Sequence, residues 1–309
     1  MTMTMPTRGS VPELLAVGET MAMVAPITGE RLVDAEHFRL DAGGAESNVA
    51  AHVAALGHQA AWFSRLGDDA LGRRVTAQLA GRGVDVSAVV SDPVNPTGLY
   101  VKDPGNGVRY YRAGSAASHL SPADAERVEL TGVRILHVSG ITAALSESAA
   151  GFLSRLIDRA HNAGVLVSFD VNHRVALWDC ATASSALAAL ARRADLVFTG
   201  RDEAESLWGT VEADDVRALF PDVTELVVKD GSIGATTYLA GQVVVEPALV
   251  VDVVDVVGAG DAFAGGYLAA LLDGASPAER LRAGHRRAAL TLLTTGDSID
   301  TSPTKEQFP

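Results

Sequence analysis

Asp255-Val256-Val257-Gly258-Ala259-Gly260-Asp261-Ala262-Phe263 is the stretch on which the reading of this chain turns. It follows the apolar run Leu249–Val254, which spells a strand, and it opens the helical pattern Ala262–Leu272. Small residues at the head of a helix let backbone N–H groups converge. Unpaired donors and the helix dipole together bind anions. A carboxylate inside such a hole repels its own ligand unless it has separate work. Taking a proton from a hydroxyl that attacks a phosphoryl group is work of that kind. Asp261 therefore reads as a catalytic base, with Gly258, Ala259 and Gly260 as the turn that steadies developing charge. The same residues also read as a plain capping turn, in which the dipole favours Asp261. A dinucleotide fingerprint fits poorly, because its third glycine falls on Phe263, and no lysine follows a glycine, so there is no P-loop.

Outward from this stretch, the second half alternates. Val133–Val138, Val165–Val171, Leu196–Thr199 and Leu226–Lys229 are short apolar runs, and Glu147–Asn162 and Ala183–Arg193 are helical patterns between them. Such runs are strands buried on both faces of a parallel sheet, with right-handed crossovers placing helices on both sides. The first half differs. Glu46–Leu56 reads as a helix ended by Gly57, whereas Thr20–Arg39 and Thr97–Arg112 are strand-like with little helix between. Gly105-Asn106-Gly107 predicts a hairpin turn, and Gly241-Gln242 a second. The expected fold class is α/β: a three-layer α/β/α sandwich over 12–300 with a small β-sheet lid from 20–40 and 97–112. The ends 1–11 and 302–309 are expected to be loose.

The 309 residues carry 25 Lys+Arg against 38 Asp+Glu, a formal charge of −13, which argues against nucleic acid and anionic membranes as partners. Arginine supplies nearly all the positive charge, since the only lysines are Lys102, Lys229 and Lys305. The lone Cys180 excludes a disulfide or a Cys-based zinc site within one chain and reads as a packed small side chain. Eight histidines show no metal-like spacing. Met1–Val11 has no signal-peptide pattern, and Asp252, Asp255 and Asp261 interrupt the most apolar region. A cytoplasmic protein is expected.

The stretch around Asp261 resembles the D-[T]-x-G-A-G-D-x-F motif of the PfkB, or ribokinase-like, family of carbohydrate kinases. A second family motif appears in Gly43-Gly44-Ala45-Glu46-Ser47-Asn48-Val49-Ala50, followed by Leu56-Gly57 and Arg65-Leu66-Gly67-Asp68-Asp69. The resemblance spans Leu15 to Gly296. It implies ATP and Mg²⁺, with Asp261 as base and Gly258, Ala259 and Gly260 as the anion hole. Gly43 and Gly44 match the di-glycine against the sugar, and Asn48 the sugar-contacting Asn. Lys229, Gly231 and Gly234 match the strand and turn near ATP. Glu203 matches a glutamate linked to Mg²⁺ through water, and Asp255 a carboxylate that helps hold a monovalent cation such as K⁺. Val256, Gly200 and His285 stand where the family has Thr, Asn and, near the adenine, Asn.

Thr97-Gly-Leu-Tyr100, Tyr110-Tyr-Arg-Ala-Gly-Ser-Ala116, His137-Val-Ser-Gly-Ile141 and Asp170-Val-Asn-His-Arg174 with Leu177-Trp178 are similar to the 2-keto-3-deoxygluconate kinase branch. That substrate is a sugar acid, whose carboxylate calls for arginine. Arg112 and Arg174 are the candidates, with Tyr100, Tyr110 and Ile141 beside them. Arg112 also reads as a solvent-facing strand charge, and Arg174 as a cap or a partner of Asp179. The expected reaction moves the γ-phosphoryl group of ATP to the terminal hydroxyl of the sugar acid, giving its 6-phosphate. A fructokinase, ribokinase or other keto-sugar kinase is one alternative. A non-catalytic sugar or nucleotide sensor on the same fold is another, and a nicotinamide oxidoreductase a distant third. An exposed lid sheet invites pairing between copies, so a homodimer or larger assembly is expected.

Overall fold

The computed structural model describes residues 11–294, so the ends expected to be loose lie outside the described residues except for Val11. In chain order the elements are β1 (Leu14–Val17), β2 (Met21–Pro26), β3 (Phe38–Gly43), α1 (Ala45–Ala55), β4 (Ala60–Phe63), β5 (Arg65–Gly67), α2 (Ala70–Gly81), β6 (Val90–Asp92), β7 (Leu99–Asp103) and β8 (Gly107–Tyr111). Next come α3 (Pro122–Ala125), β9 (Ile135–Ser139), α4 (Gly140–Leu145), α5 (Glu147–Asn162), β10 (Leu166–Asp170), α6 (Cys180–Ala191), β11 (Leu196–Gly200), α7 (Arg201–Trp208) and α8 (Ala213–Leu219). Last are β12 (Glu225–Asp230), β13 (Gly234–Leu239), β14 (Gln242–Pro247), α9 (Ala259–Leu272) and α10 (Pro277–Leu292).

Eight strands form the main sheet in the order β14-β13-β12-β11-β10-β9-β1-β4; the pairings β12–β13 and β13–β14 are antiparallel, so β13 alone runs against an otherwise parallel array. Alternation along each strand sends side chains to two faces. In β1, Leu15 and Val17 join the core of one face with Phe152, Leu156, Phe169 and Leu187. Leu14 and Ala16 join the opposite core with Trp62, Phe198, Tyr267 and Leu268. The sandwich read from the sequence is the fold observed. α5 spans the predicted residues because Ser146 accepts from Ala149 N at 3.0 Å at its start, and Gly164, at φ 70°, turns the chain after its end.

A separate four-stranded sheet runs β3-β2-β7-β8 around its own cluster of Met21, Met23, Ala25 and Tyr100. The β7–β8 turn uses Gly105 and Gly107 at φ 82° and 87°, where glycine is favoured.

Two local expectations are corrected. Leu249–Val254 is not a strand: β14 is the edge of the sheet, and beyond it the chain has no ladder to join. Val254 and Asp255 instead donate to the Leu292 carbonyl, and Val250 is fully exposed. α9 starts at Ala259 rather than Ala262, which puts Asp261 inside its first turn.

Candidate active site

Open parallel sheets place ligands at the carboxyl ends of their strands. A cleft of about 580 Å³ lies there, walled on one side by the small sheet. β10, β11 and β12 deliver Asp170, Gly200 and Lys229 to it. α1 and α9 deliver Asn48 and Asp261, and β7 and β8 contribute Tyr100 and Tyr110.

Asp261 sits at the head of α9, where Gly258 holds the left-handed φ of 83°. Asn48 Nδ2 donates to its Oδ2 at 2.9 Å. Burial pushes the Asp261 carboxyl up to about 6, against the lowering pull of the Asn48 hydrogen bond and the Arg174 charge. A carboxylate of that basicity is ionised near neutrality and still able to take a proton. Lys229 Nζ lies 3.0 Å from Asp170 Oδ2, and a Cβ on Gly260 would stand 3.6 Å from the same ammonium. Burial alone would lower Lys229; the Asp170 and Glu203 carboxylates overcome it and hold the ammonium charged. The head of α9 thus carries unpaired N–H groups of a helix start, a fixed cation and a carboxylate able to take a proton.

Glu203 faces the cleft with both oxygens engaged. Oε1 accepts from His173 N at 2.5 Å, and Oε2 accepts from Gly200 N at 3.2 Å and Thr199 Oγ1 at 3.1 Å. It closes the first turn of α7 at the position where Gly200 has no side chain to do so. Burial, with the Asp170 charge behind it, raises the Glu203 pKa. No group of three or more His, Cys, Asp or Glu side chains converges as a metal cage among the described residues.

At the other end, Arg112 forms an ion pair with the buried Glu19, whose Oε1 accepts from Ser115 Oγ at 2.6 Å. The guanidinium lies over the Tyr110 ring, 5.6 Å from its centroid, and Tyr110 meets Tyr100 at 5.9 Å. Arg112 is thus a half-buried cleft residue and not a solvent-facing strand charge. Arg174 is exposed on the loop after β10 and donates to the His173 carbonyl. Asp179 caps α6 through Thr182 N instead of pairing with it. Gly43, Gly44 and Ile141 also line the cleft, and a Cβ on Gly44 would fall 2.4 Å from the Glu19 carbonyl oxygen.

Not all the candidates assemble. Gly231 projects into open space beyond β12, and a Cβ on Gly234 would meet the β14 backbone at Glu246 O. His285 is buried against the Glu246 carbonyl at 3.1 Å and the Phe263 ring. Ala259 is not among the residues lining the cleft, and Asp255 pairs with Lys102. Sequence reasoning missed Glu19 and Asp170. Asp170 ends an apolar strand at the sheet's carboxyl edge, a position that could have flagged it; Glu19 has no comparable signal.

The pfkB family carbohydrate kinase profile matches residues 11–305. A Bacillus subtilis protein named 2-dehydro-3-deoxygluconokinase is 36% identical, over 96% of this chain and 94% of its own length. A Thermoproteus tenax protein of the same name is 34% identical over 92% and 90%. The crystal structure of 2-dehydro-3-deoxygluconokinase from Thermotoga maritima superposes with a TM-score of 0.85 at 26% identity, covering 93% of this chain and 94% of that one.

Proposed function

We propose, given that the chain belongs to the pfkB family of carbohydrate kinases, that it phosphorylates 2-keto-3-deoxygluconate (2-dehydro-3-deoxygluconate) on its terminal hydroxyl at the expense of ATP. The observation that carries this reading is that Asp261 and two arginines line one cleft: a carboxylate at the head of α9, Arg174 close enough for its charge to act on it, and Arg112 beside Tyr110 of the small sheet. The sugar hydroxyl oxygen attacks the γ-phosphorus, its proton passes to an Asp261 oxygen, and the bond to the ADP oxygen breaks. N–H groups at Gly258–Gly260 and the Lys229 ammonium face the charge on the transferred group. Magnesium would supply positive charge to the phosphates, and Asp170 and Glu203, whose charges reach Lys229, would hold it through water.

The sugar carboxylate fits Arg174, which has no carboxylate partner among the described residues, while Glu19 fixes the direction of Arg112. Tyr100 and Tyr110 form the wall beside it. In this reading the small sheet is a lid that keeps water from the phosphoryl group. Its exposed Phe38, Leu40 and Tyr111 suit pairing with a second copy. No helix of the described residues is long and apolar enough to cross a membrane.

The test is ADP release from MgATP with 2-keto-3-deoxygluconate, its galactose epimer, gluconate, fructose and ribose, with Asp261→Asn alongside. Turnover confined to the keto-deoxy acids and lost in the variant is expected. Turnover of fructose or ribose in preference would discard the arginine argument, and binding without turnover would make the protein a sensor.

A further inference from the structure

The loop that leads into the phosphate turn is tied to the small sheet by an ion pair. Lys102, on β7, places Nζ 3.1 Å from Asp255 Oδ2, with side chains 12% and 26% exposed. The other oxygen, Asp255 Oδ1, accepts from Val257 N at 3.0 Å. Both carboxylate oxygens are therefore engaged. Hard cations take several oxygen ligands. Beside Asp255, Val256 supplies no side-chain oxygen and is 69% exposed at the cleft. The residues present do not fit a potassium ion at this carboxylate.

The geometry points to Lys102 as the resident cation of the phosphate loop: its ammonium occupies the place of an alkali ion at Asp255 and makes turnover independent of potassium. Lysine suits this place because its ammonium is a compact point charge on a flexible stem. The pairing also has a mechanical consequence. Asp255 Oδ1 fixes Val257, and Val257 and Gly258 line the cleft next to Gly260 and Asp261. β7 carries Tyr100 on the same strand as Lys102. The position of the phosphate turn is thereby tied to the sheet that covers the sugar. Lys102 is a positioning residue and does not touch the reacting atoms. The inference rests on the phosphoryl-transfer reading of the Asp261 turn, and its test has an arm that does not.

The activity arm compares turnover in potassium chloride and in tetramethylammonium chloride. The wild type is expected to show equal rates in both. Lys102→Met is expected to lose about tenfold in kcat with little change in KM for the sugar, and Lys102→Arg to keep most of it, since the charge is what is needed. The second arm is hydrogen exchange of the full chain without substrates. Peptides over 99–103 and 252–258 are expected to exchange about fivefold faster in Lys102→Met than in the wild type, and the wild type to exchange alike in both salts. A wild type stimulated tenfold by potassium, slower exchange of 252–258 in potassium, or unchanged exchange in Lys102→Met would each overturn the inference. A protein that turns over no sugar breaks the functional reading alone, and the exchange arm still decides the role of Lys102.

Discussion

Helices α1 and α9 begin alike and do different work. One opens on Gly43-Gly44-Ala45-Glu46 and the other on Gly258-Ala259-Gly260-Asp261; they pack together, each with an acid in its first turn. Gly44 caps α1 in extended backbone that any residue adopts, so glycine is there for room beneath the Glu19 carbonyl. Gly258 caps α9 in left-handed backbone, so glycine is there for conformation. Glu46 is sealed in. Ser139 Oγ and Thr142 Oγ1 donate to its Oε1 at 2.6 and 3.2 Å, its Oε2 has no partner, and burial pushes its pKa up to about 7. Asp261 keeps an open side toward the cleft. The same local pattern of small residues and an acid thus yields a sealed carboxyl in one helix and a cleft-facing carboxylate, the proposed base, in the other. What decides is the side chains that pack over the carboxylate, and these come from far along the chain.

The sharpest break of this comparison is Asp261→Asn, expected to lower kcat by about 10³-fold, within the range for a lost general base. In the wild type, kcat/KM should rise as pH climbs through about 6, where Asp261 ionises, and level off above it. A flat profile from pH 5 to 8 would remove Asp261 from the role. Arg174→Ala should raise KM for the sugar acid about thirtyfold, the worth of a charge-assisted contact, with kcat nearly kept. Arg112→Ala should add a loss of stability that Arg174→Ala does not, because it strands Glu19 in the core. Equal urea midpoints for the two variants would contradict this.

The two caps separate on the same scale. Gly44→Ala is expected to cost about 2 kcal/mol in urea unfolding through the clash, and Gly258→Ala about 1 kcal/mol through backbone strain. Glu46→Gln is read against pH. Glu46 has a folded pKa of about 7, above its ordinary value of 4.5, so its contribution to stability is full below 4.5 and lost as pH rises through 7. The neutral amide escapes that loss. The variant should gain about 2 kcal/mol on the wild type as pH rises from 5 to 8. A gap between the two that does not change with pH would show Glu46 to be ionised throughout.

The strands β9 to β12 were legible because parallel strands buried on both faces need unbroken apolar runs, and α5 because its apolar spacing and its terminators agree. Leu249–Val254 carries the same apolar signal, yet strand formation needs a neighbour with free hydrogen-bonding groups, which no local pattern can report. Asp261 was legible as a reactive acid because its own turn explains it. Glu19 and Asp170 were not, since what makes them part of the site is Arg112 and Lys229, each supplied from a remote element. Lys102 and Asp255 belong with these: their meeting depends on how the small sheet folds over the large one.

The place of β1 has a consequence for how the chain is made. Leu14 pairs with Ala60 on one side and with Ile135 on the other. β1, translated ahead of every other described strand, therefore finds its second neighbour only after the whole small sheet has been translated. Until β9 emerges from the ribosome, one edge of β1 offers unpaired backbone groups to any passing strand. From β9 onward, each strand through β14 adds to its immediate predecessor, so the second half can assemble in the order in which it is translated. The vulnerable interval in the birth of this protein is its first half.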